Sequence, residues 1–292
     1  MKLVAELKPY PRYAQAVLFS SDGRELVTTG FEPSIKVWSV PGFAVKRTME
    51  GHTQAVAGLA LSADQRTLVS TSTDKTVRVW DYASGVCREV LKGHTNTVLR
   101  PQLSPDGWWI ATPSADATVR LWPFSGEGEK KVLKGHAKNV FAVAFTSDSK
   151  TLVSSGLGDD IFLWSVATGQ KIGVLTGHKT AVSNLVMSPD GARLWSMGYP
   201  GSIIVWAVDG WQQMFTADIS KDRPYSLAIS RDGSLIGMTV EGGVALHRTE
   251  GFERIAFEKT GIKGMYGIAF APDGKLLATA SADGRVRVWE VH

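Results

Sequence analysis

Histidine is the side chain best suited to proton transfer or metal binding near neutral pH, and four of the six histidines in this sequence follow a pattern. Each of the four is preceded by glycine, and they lie 42 residues apart at His52, His94, His136 and His178. A metal site or an acid–base centre needs such side chains to converge. A residue that occurs once per repeat lies once in each structural unit. We therefore expect these histidines to be separated and to form no metal site.

Other signatures of catalysis are missing from the sequence. There is no HExxH, CxxC, GxSxG or GxxxxGK[ST] motif. The glycine-rich stretch 125–128 has the composition of a phosphate loop, but it joins two strand-like runs of one repeat, so we interpret it as a hairpin turn. The acidic pair Asp159-Asp160 also lies in turn sequence. We predict that the chain is not an enzyme and has no cofactor.

Tryptophan recurs at the same step as the histidines, which indicates a longer repeat. Its positions are Trp38, Trp80, Trp122, Trp164 and Trp206; 41 residues later the sequence has His247, and 42 after that Trp289. An Asp-Gly turn, or a relative of it, is a third marker in the same register, for example at Asp22-Gly23. Three markers in register indicate seven copies of one unit, of which residues 51–92 are the clearest.

Each unit contains four short runs rich in β-branched and aliphatic residues, which turn residues separate. In residues 51–92 the runs are VAGLALS, RTLVSTS, TVRVWDY and VCREVLK. They predict a four-stranded antiparallel meander. One meander cannot bury both of its faces, so the copies must stack, and a period of about 40 to 45 residues favours the blades of a β-propeller.

The composition limits the classes of function. The 292 residues include 43% apolar and 21% charged side chains, enough for a large core in one domain. There is no signal-like start and no membrane-spanning apolar run, the net charge of +4 is spread over the repeats, and Cys87 is the only cysteine. We expect a soluble, cytoplasmic protein without a nucleic-acid or membrane partner.

The second repeat resembles the WD40 family over the pattern GH...SxxxDxxVRVWD, with His52, Ser70, Asp74 and Trp80 at the defining positions. The resemblance extends over the whole chain. It implies an all-β fold, a seven-bladed β-propeller of four-stranded antiparallel blades. It also implies that these four side chains form a hydrogen-bonded chain from the loop histidine through the turn aspartate and the strand hydroxyl to the indole N–H.

The third repeat has the same set, and the other repeats depart from it. The third set is His94, Thr112, Asp116 and Trp122. The departures are Tyr10 and Glu32 in the first repeat, Gly158 in the fourth, Pro200 in the fifth, Ser220, Glu241 and His247 in the sixth, and Gly261 in the seventh. We expect these blades to depend more on apolar packing. The sixth, which also lacks one residue, is expected to be the least regular.

We predict a single domain that comprises residues 1–292. The predicted blades are about 13–50, 51–92, 93–134, 135–176, 177–218, 219–259, and 260–292 together with 1–8. The strand-like LVAEL within residues 1–8 then completes the last blade, and closure of the ring removes exposed sheet edges.

The resemblance also implies which loops bind partners. In WD40 proteins the loops before the first strand and between the second and third strands lie on one end of the ring, the top face. Several repeats carry large side chains there where others have Ala, Ser, Thr or Leu. The predicted partner-binding residues are Tyr13, Phe31, Phe141, Tyr199, Arg223, Tyr225 and Tyr266. Aromatic residues and arginine are enriched in binding hot spots. The alternative, that the aromatics only pack irregular loops, stays open.

The opposite face has one unusual feature, Trp108-Trp109 in the first hairpin turn of the third repeat. We expect one of the two indoles to be solvated, which makes the pair a possible second contact. Trp211, in a turn on the same face, is a possible companion.

These features favour a non-catalytic scaffold that binds a protein segment or loop on the top face. A sensor or regulatory propeller that acts with an enzyme or effector is the alternative, and a catalytic propeller is third. We expect a monomeric propeller within a complex, with one or more protein partners. Fold alone does not identify the partner.

Overall fold

The computed structural model describes residues 1–126 and 128–292. These residues form 28 β-strands and no helix, and the strands make seven antiparallel sheets of four strands each. No segment of the described chain is a helix long and apolar enough to cross a bilayer. Glu127, in the predicted turn 125–128, lies outside the described residues. The chain is a seven-bladed β-propeller, which confirms the predicted fold class.

Each blade is numbered by its order in the chain, and its strands run from the channel outward. Blade 1 contains β2 (Ala14–Phe19), β3 (Glu25–Gly30), β4 (Ser34–Ser39) and β5 (Val45–Glu50). Blade 2 contains β6 (Val56–Leu61), β7 (Thr67–Ser72), β8 (Val77–Asp81) and β9 (Cys87–Leu91). Blade 3 contains β10 (Gln102–Leu103), β11 (Trp109–Pro113), β12 (Thr118–Pro123) and β13 (Lys131–Lys134). Blade 4 contains β14 (Val140–Phe145), β15 (Thr151–Gly156), β16 (Ile161–Ser165) and β17 (Lys171–Leu175).

The remaining three blades follow the same order, except that the outer strand of the last one comes from the start of the chain. Blade 5 contains β18 (Val182–Met187), β19 (Arg193–Gly198), β20 (Ser202–Ala207) and β21 (Gln213–Asp218). Blade 6 contains β22 (Ser226–Ile229), β23 (Leu235–Val240), β24 (Gly243–Arg248) and β25 (Arg254–Lys259). Blade 7 contains β26 (Met265–Phe270), β27 (Leu276–Ser281), β28 (Val286–Glu290) and β1 (Lys2–Leu7).

The core lies between the blades. Strands β3 and β7 are buried along their whole length, because a sheet covers each of their two faces. The outer strands β5 and β9 are exposed at about every second residue or more. Second strands such as β3 and β7 are covered on both faces, which explains why the second run of each repeat consists mainly of apolar or small residues.

Strand β1 closes the ring by pairing with β28, as predicted. Leu3 lies opposite Trp289 in this antiparallel ladder. The Glu6 carboxylate adds ion pairs with Arg285, at 3.1 Å, and with Arg287, at 2.9 Å. Blade 7 is therefore held by backbone hydrogen bonds between the two ends of the chain and by side-chain charges.

The first strand carries a register shift at the same position in five blades. In blade 7, for example, pairing passes from Met265 to Gly267 and leaves Tyr266 as the extra residue. A β-bulge of this kind changes the direction of the side chain that it inserts. The inserted residue lies five positions after the histidine position, which is one of the three positions used to predict the top face.

Blade 6 is not the least regular blade, contrary to the expectation from its sequence. Its first two strands lack the register shift that five blades share, but all four of its strands are present and paired. The shortest first strand is β10 of blade 3, which is preceded by an isolated bridge between Val98 and Ser114. Pro101 lies directly before β10 and has no N–H to donate to the ladder, which explains the short strand.

Deletion of residues 1–8 should lower the free energy of unfolding by several kcal/mol or promote self-association, because it leaves β28 as an unpaired edge. Chemical denaturation and the monomer fraction measure the two effects. The control is Glu6→Gln, which removes the charge but keeps the strand and should cost only about 1 kcal/mol or less. A truncated chain as stable and as monomeric as the full chain would contradict closure by β1.

Candidate functional site

A chain of buried polar side chains links the loops of blade 2. His52 Nδ1 lies 2.8 Å from Asp74 Oδ2, and His52 Nε2 lies 2.7 Å from Ser70 Oγ. The Trp80 Nε1–H donates to the same hydroxyl over 2.8 Å. The four side chains that the resemblance connects therefore lie within hydrogen-bonding distance of one another.

Blade 3 has the same arrangement. His94 lies 2.8 Å from both Asp116 and Thr112, and the Trp122 indole donates to Thr112 over 2.9 Å. Burial lowers the pKa of His94, so the neutral ring donates from Nδ1 to Asp116 and accepts at Nε2. Burial alone would raise the pKa of Asp116, but hydrogen bonds, chiefly from Thr118, outweigh it and lower this pKa to about 2.

These networks hold the top face in place and leave no reactive group free. The Thr53 amide donates to Asp74 over 3.0 Å, so the loop before the first strand is tied to the loop between the second and third. A Ser-His-Asp set could suggest nucleophilic catalysis. However, Ser70 is completely buried and its hydroxyl already accepts from Trp80, so a substrate carbonyl cannot reach it.

Blade 1 replaces the histidine with a tyrosine that serves a similar purpose. The Tyr10 hydroxyl donates to the Thr28 carbonyl over 2.7 Å, and the Trp38 indole donates to the Thr28 hydroxyl over 2.9 Å. Burial raises the pKa of Tyr10, which stays protonated and can donate. The first blade is therefore pinned by a buried polar chain and not by apolar packing alone.

In blade 5 the histidine has a hydrogen-bond partner that was not predicted from the sequence. His178 Nδ1 lies 2.8 Å from the Ser202 hydroxyl, and Nε2 lies 2.7 Å from Ser196. Ser202 thus takes over the hydrogen bond that Pro200, in the acid position, cannot make. The signal was available, because Thr118 stands at the same repeat position in blade 3 and already donates to the aspartate there.

In blade 7 an arginine on the third strand pairs with the turn acid, as the histidine does in blades 2 and 3. Arg287 donates to the Ser281 hydroxyl over 2.9 Å and to Asp283 over 2.7 Å. The Trp289 indole still donates to Thr279, over 3.1 Å. The turn acid of this blade is therefore paired although Gly261 occupies the histidine position.

Blades 4 and 6 depend more on ring stacking. His136 lies 2.7 Å from Ser154 and stacks on Phe162 with ring centroids 4.3 Å apart. His247 stacks on Phe252 at 4.8 Å, and among the described residues its buried Nδ1 has no hydrogen-bond partner. No three His, Cys, Asp or Glu side chains in the described part of the chain converge as a metal site requires.

Four of the predicted binding residues form one continuous row on the top face. Phe31 lies 6.0 Å from Tyr13, Tyr13 lies 5.9 Å from Tyr266, and Tyr266 lies 6.4 Å from Tyr225, measured between ring centroids. Each pair has edge-to-face geometry. We call these four residues the aromatic row; it crosses blades 1, 7 and 6.

The aromatic row faces solvent at one end and is half-buried at the other. Phe31 is 56% exposed and Tyr13 is 41% exposed, whereas Tyr225 and Tyr266 are half-buried. Burial raises the pKa of Tyr266, and the nearby phenols of Tyr13 and Tyr225 raise it further. Within residues 1–126 and 128–292, none of these three hydroxyls has a hydrogen-bond partner in the protein.

The other predicted binding residues lie outside the row. Arg223 is exposed on blade 6 and forms an ion pair with Glu241 at 3.1 Å. Tyr199 is 58% exposed on blade 5, and Phe141 is half-buried on blade 4. In the described structure neither ring contacts the row, so the predicted set divides into a row of four and three separate residues.

On the opposite face, the two neighbouring tryptophans differ. Trp108 is 67% exposed, whereas Trp109 is half-buried with Lys131 Nζ 4.6 Å from its ring. Trp211 packs against the core between blades 4 and 5. The expectation of one solvated indole therefore applies to Trp108, and Trp211 offers no exposed ring beside it.

Arg100 is a second residue that sequence reasoning missed. It lies on the channel side of blade 3, and its guanidinium donates to Asn184, Ser226 and the Tyr266 carbonyl. At the same repeat position most blades carry Ala, Gly or Ser. That contrast is a signal for Arg100 in the sequence, but it lies at a first-strand position and not in the top-face loops from which the binding residues were predicted.

A family model described as "WD domain, G-beta repeat" (WD40) matches five stretches that together cover more than half of the chain. They are residues 43–81, 85–123, 128–165, 169–207 and 258–290. Each begins at the outer strand of one blade and ends with the third strand of the next. The unmatched parts contain the repeats with Tyr10 and His247. No curated protein sequence matches the chain.

Asp74→Ala should lower the free energy of unfolding by roughly 2 to 4 kcal/mol, because it leaves His52 and the Thr53 amide without their acceptor. Asp64→Ala is the matched control: that aspartate lies in an exposed turn and should cost about 1 kcal/mol or less. Urea denaturation of both variants measures the difference. Equal, small losses would show that the buried network does not support the blade.

Buried histidines should make stability depend on pH. Burial lowers the pKa of His136, His178 and His247 from 6.5 to about 4. Between these values the unfolded chain binds more protons than the folded chain, so the free energy of unfolding falls as the pH decreases and is fully retained above the higher value.

We expect the urea midpoint to decrease between about pH 7 and about pH 5, and the decrease to be smaller in His178→Gln. The control is a change at the exposed His292, which should leave the decrease unaltered. A midpoint that is the same at both pH values would contradict neutral, buried histidines.

Proposed function

The chain belongs to the WD40 family, and from this premise we propose that it is a non-catalytic interaction propeller that binds a protein segment or loop across the aromatic row of its top face. The observation that carries the proposal is the continuity of the row. Phe31, Tyr13, Tyr266 and Tyr225 come from three blades and meet in one line of ring contacts.

A row of this kind suits a protein partner. Aromatic side chains bury a large area with few rotatable bonds, and tyrosine adds a hydroxyl that can donate or accept at the rim. A line of rings with open phenols can pack against apolar side chains of a bound segment and donate to its backbone carbonyls. Arg223, two residues before Tyr225 in the chain, and Lys263, three residues before Tyr266, both form ion pairs with Glu241.

The alternative, that these rings only pack irregular loops, explains less. Phe31 and Tyr13 leave about half of their surface exposed, so they contribute little to a core. The β-bulge that inserts Tyr266 also occurs in blades 2 and 5, where the inserted residues are Ala57 and Ser183. The backbone therefore does not require an aromatic residue at this position.

The hydroxyl groups beside the histidines also favour a non-catalytic role. Ser70 and Thr112, the hydroxyls beside the histidines, are buried within networks that hold the loops. We propose a scaffold that is a monomeric propeller within a complex; a sensor role beside an enzyme or effector would use the same surface. A cytoplasmic location stays a prediction from the sequence, based on the start of the chain, its apolar runs and its single cysteine.

Tyr13→Ala and Phe31→Ala should each weaken partner binding by at least about fivefold, or about 1 kcal/mol, as truncation of a hot-spot ring does. Their free energies of unfolding should stay within about 1 kcal/mol of wild type, because both rings are exposed. Peptides selected from a displayed random library against the wild-type chain serve as the probe. Their affinities are measured by fluorescence anisotropy.

The matched control is Trp108→Ala, which removes an exposed ring on the opposite face. It should leave the affinity of the selected peptides unchanged. If the row variants lose stability but keep affinity, the rings are packing residues. If Trp108→Ala alone loses affinity, the opposite face is the binding surface.

A further inference from the structure

The first strands of the blades line a central channel, and one position in that lining stands apart. The position lies six residues after the histidine position. It holds Ala16, Gly58, Arg100, Ala142, Asn184, Ser226 and Gly267 in blades 1 to 7. Five of the seven residues are small, which leaves room for the side chain of Arg100 to extend from blade 3 across the channel.

Three acceptors on the far side fix the guanidinium. Nη1 donates to Asn184 Oδ1 over 2.9 Å and to Ser226 Oγ over 3.1 Å, and Nη2 donates to the Tyr266 carbonyl. These acceptors belong to blades 5, 6 and 7. The position of the charged group is therefore determined by three blades as well as by its own.

All three acceptors are neutral, so the charge of Arg100 is not compensated. Arg100 is the sole charged residue among the described residues that line the channel cavity. Burial lowers the pKa of Arg100, and no neighbouring carboxylate opposes this change. Arg100 is half-buried, and a charge that is partly removed from water normally has a partner of opposite sign, because loss of hydration is unfavourable.

The Arg100 guanidinium has N–H groups without an acceptor in the described chain, and a cavity adjoins it. An arginine carries five N–H groups, and the acceptors in the described chain occupy three, so two remain. The adjoining cavity measures about 150 Å³. This is well above the roughly 15 Å³ needed for one water molecule, so a carboxylate group fits. Two N–H groups on one planar fork match the two oxygens of a carboxylate.

The same hydrogen bonds connect this position to the aromatic row. Tyr266 supplies a carbonyl to Arg100 and a ring to the row. Asn184, which accepts from Arg100, donates through Nδ2 to the Tyr225 carbonyl over 3.1 Å. The guanidinium therefore contacts Tyr266 directly and is connected to Tyr225 through Asn184, at the half-buried end of the row.

We propose that Arg100 forms an anion subsite that takes the carboxylate of an acidic side chain from the segment bound on the aromatic row. The source of the carboxylate rests on the proposed function, but the subsite itself does not. The aromatic row supplies apolar contact, and the subsite selects segments with an Asp or Glu that reaches into the channel. Salt should weaken this contact less than an ion pair on the open surface, because the Arg100 side chain is half-buried in the channel.

Acetate is the probe, and acetamide is its uncharged match. Sodium acetate replaces part of the sodium chloride at constant ionic strength, and acetamide is added at the same concentrations without removing salt, while ¹H–¹⁵N NMR follows the amide signals of Asn184, Ser226 and Tyr266. We expect saturable shifts with acetate, with a dissociation constant in the millimolar range, and none with acetamide. Arg100→Gln should abolish the shifts. The control Arg88→Gln, which removes an exposed arginine of blade 2, should keep them.

Other outcomes overturn the proposal. Absence of saturable shifts in the folded wild-type chain, or the same shifts in Arg100→Gln, would leave Arg100 as an internal crosslink between blades. Saturation by inorganic phosphate but not by acetate would contradict a carboxylate ligand. If Arg100→Gln does not fold, Arg100→Lys replaces it and should weaken acetate binding at least fivefold, because the fork is lost. The titration needs no partner, so its failure leaves the proposed function standing.

Discussion

Each sheet of this protein has two apolar faces, and only neighbouring sheets can cover them. This constraint determines the architecture: strands such as β3 and β7 are buried on both sides, and the ring must close so that no blade keeps an open face. Pairing of β1 with β28 meets that requirement. The central channel and the top face then follow from the order of strands within a blade.

Closure fixes the blades, and buried polar groups fix the loops between them. His52 and Asp74 join two loops of blade 2, while Tyr10 in blade 1 and Arg287 in blade 7 achieve comparable links with different chemistry. In these three blades polar groups at the top of the blade are paired, although the residue types differ. Precise loops are what allow rings from three blades to meet in one row.

Much of this could be predicted from the sequence. The step between Trp38 and Trp80 determines the blade length, and the strand-like start of the chain matches the strand missing from the last repeat. The repeat positions also identified Tyr13 and Tyr266 as top-face residues, although not their contact. The partner of His178 and the reach of Arg100 were missed, because both depend on which side chains face each other across space. The short β10 was not predicted, because blade 3 has the complete polar network and was therefore expected to be regular, whereas Pro101 shortens its first strand.

The most direct test of the account is a crystal structure of the chain with a peptide selected from a displayed library. The account predicts that the peptide lies along Phe31, Tyr13, Tyr266 and Tyr225, over blades 1, 7 and 6. A peptide bound at Trp108 on the opposite face, or on the outer strands of the blades, would contradict it.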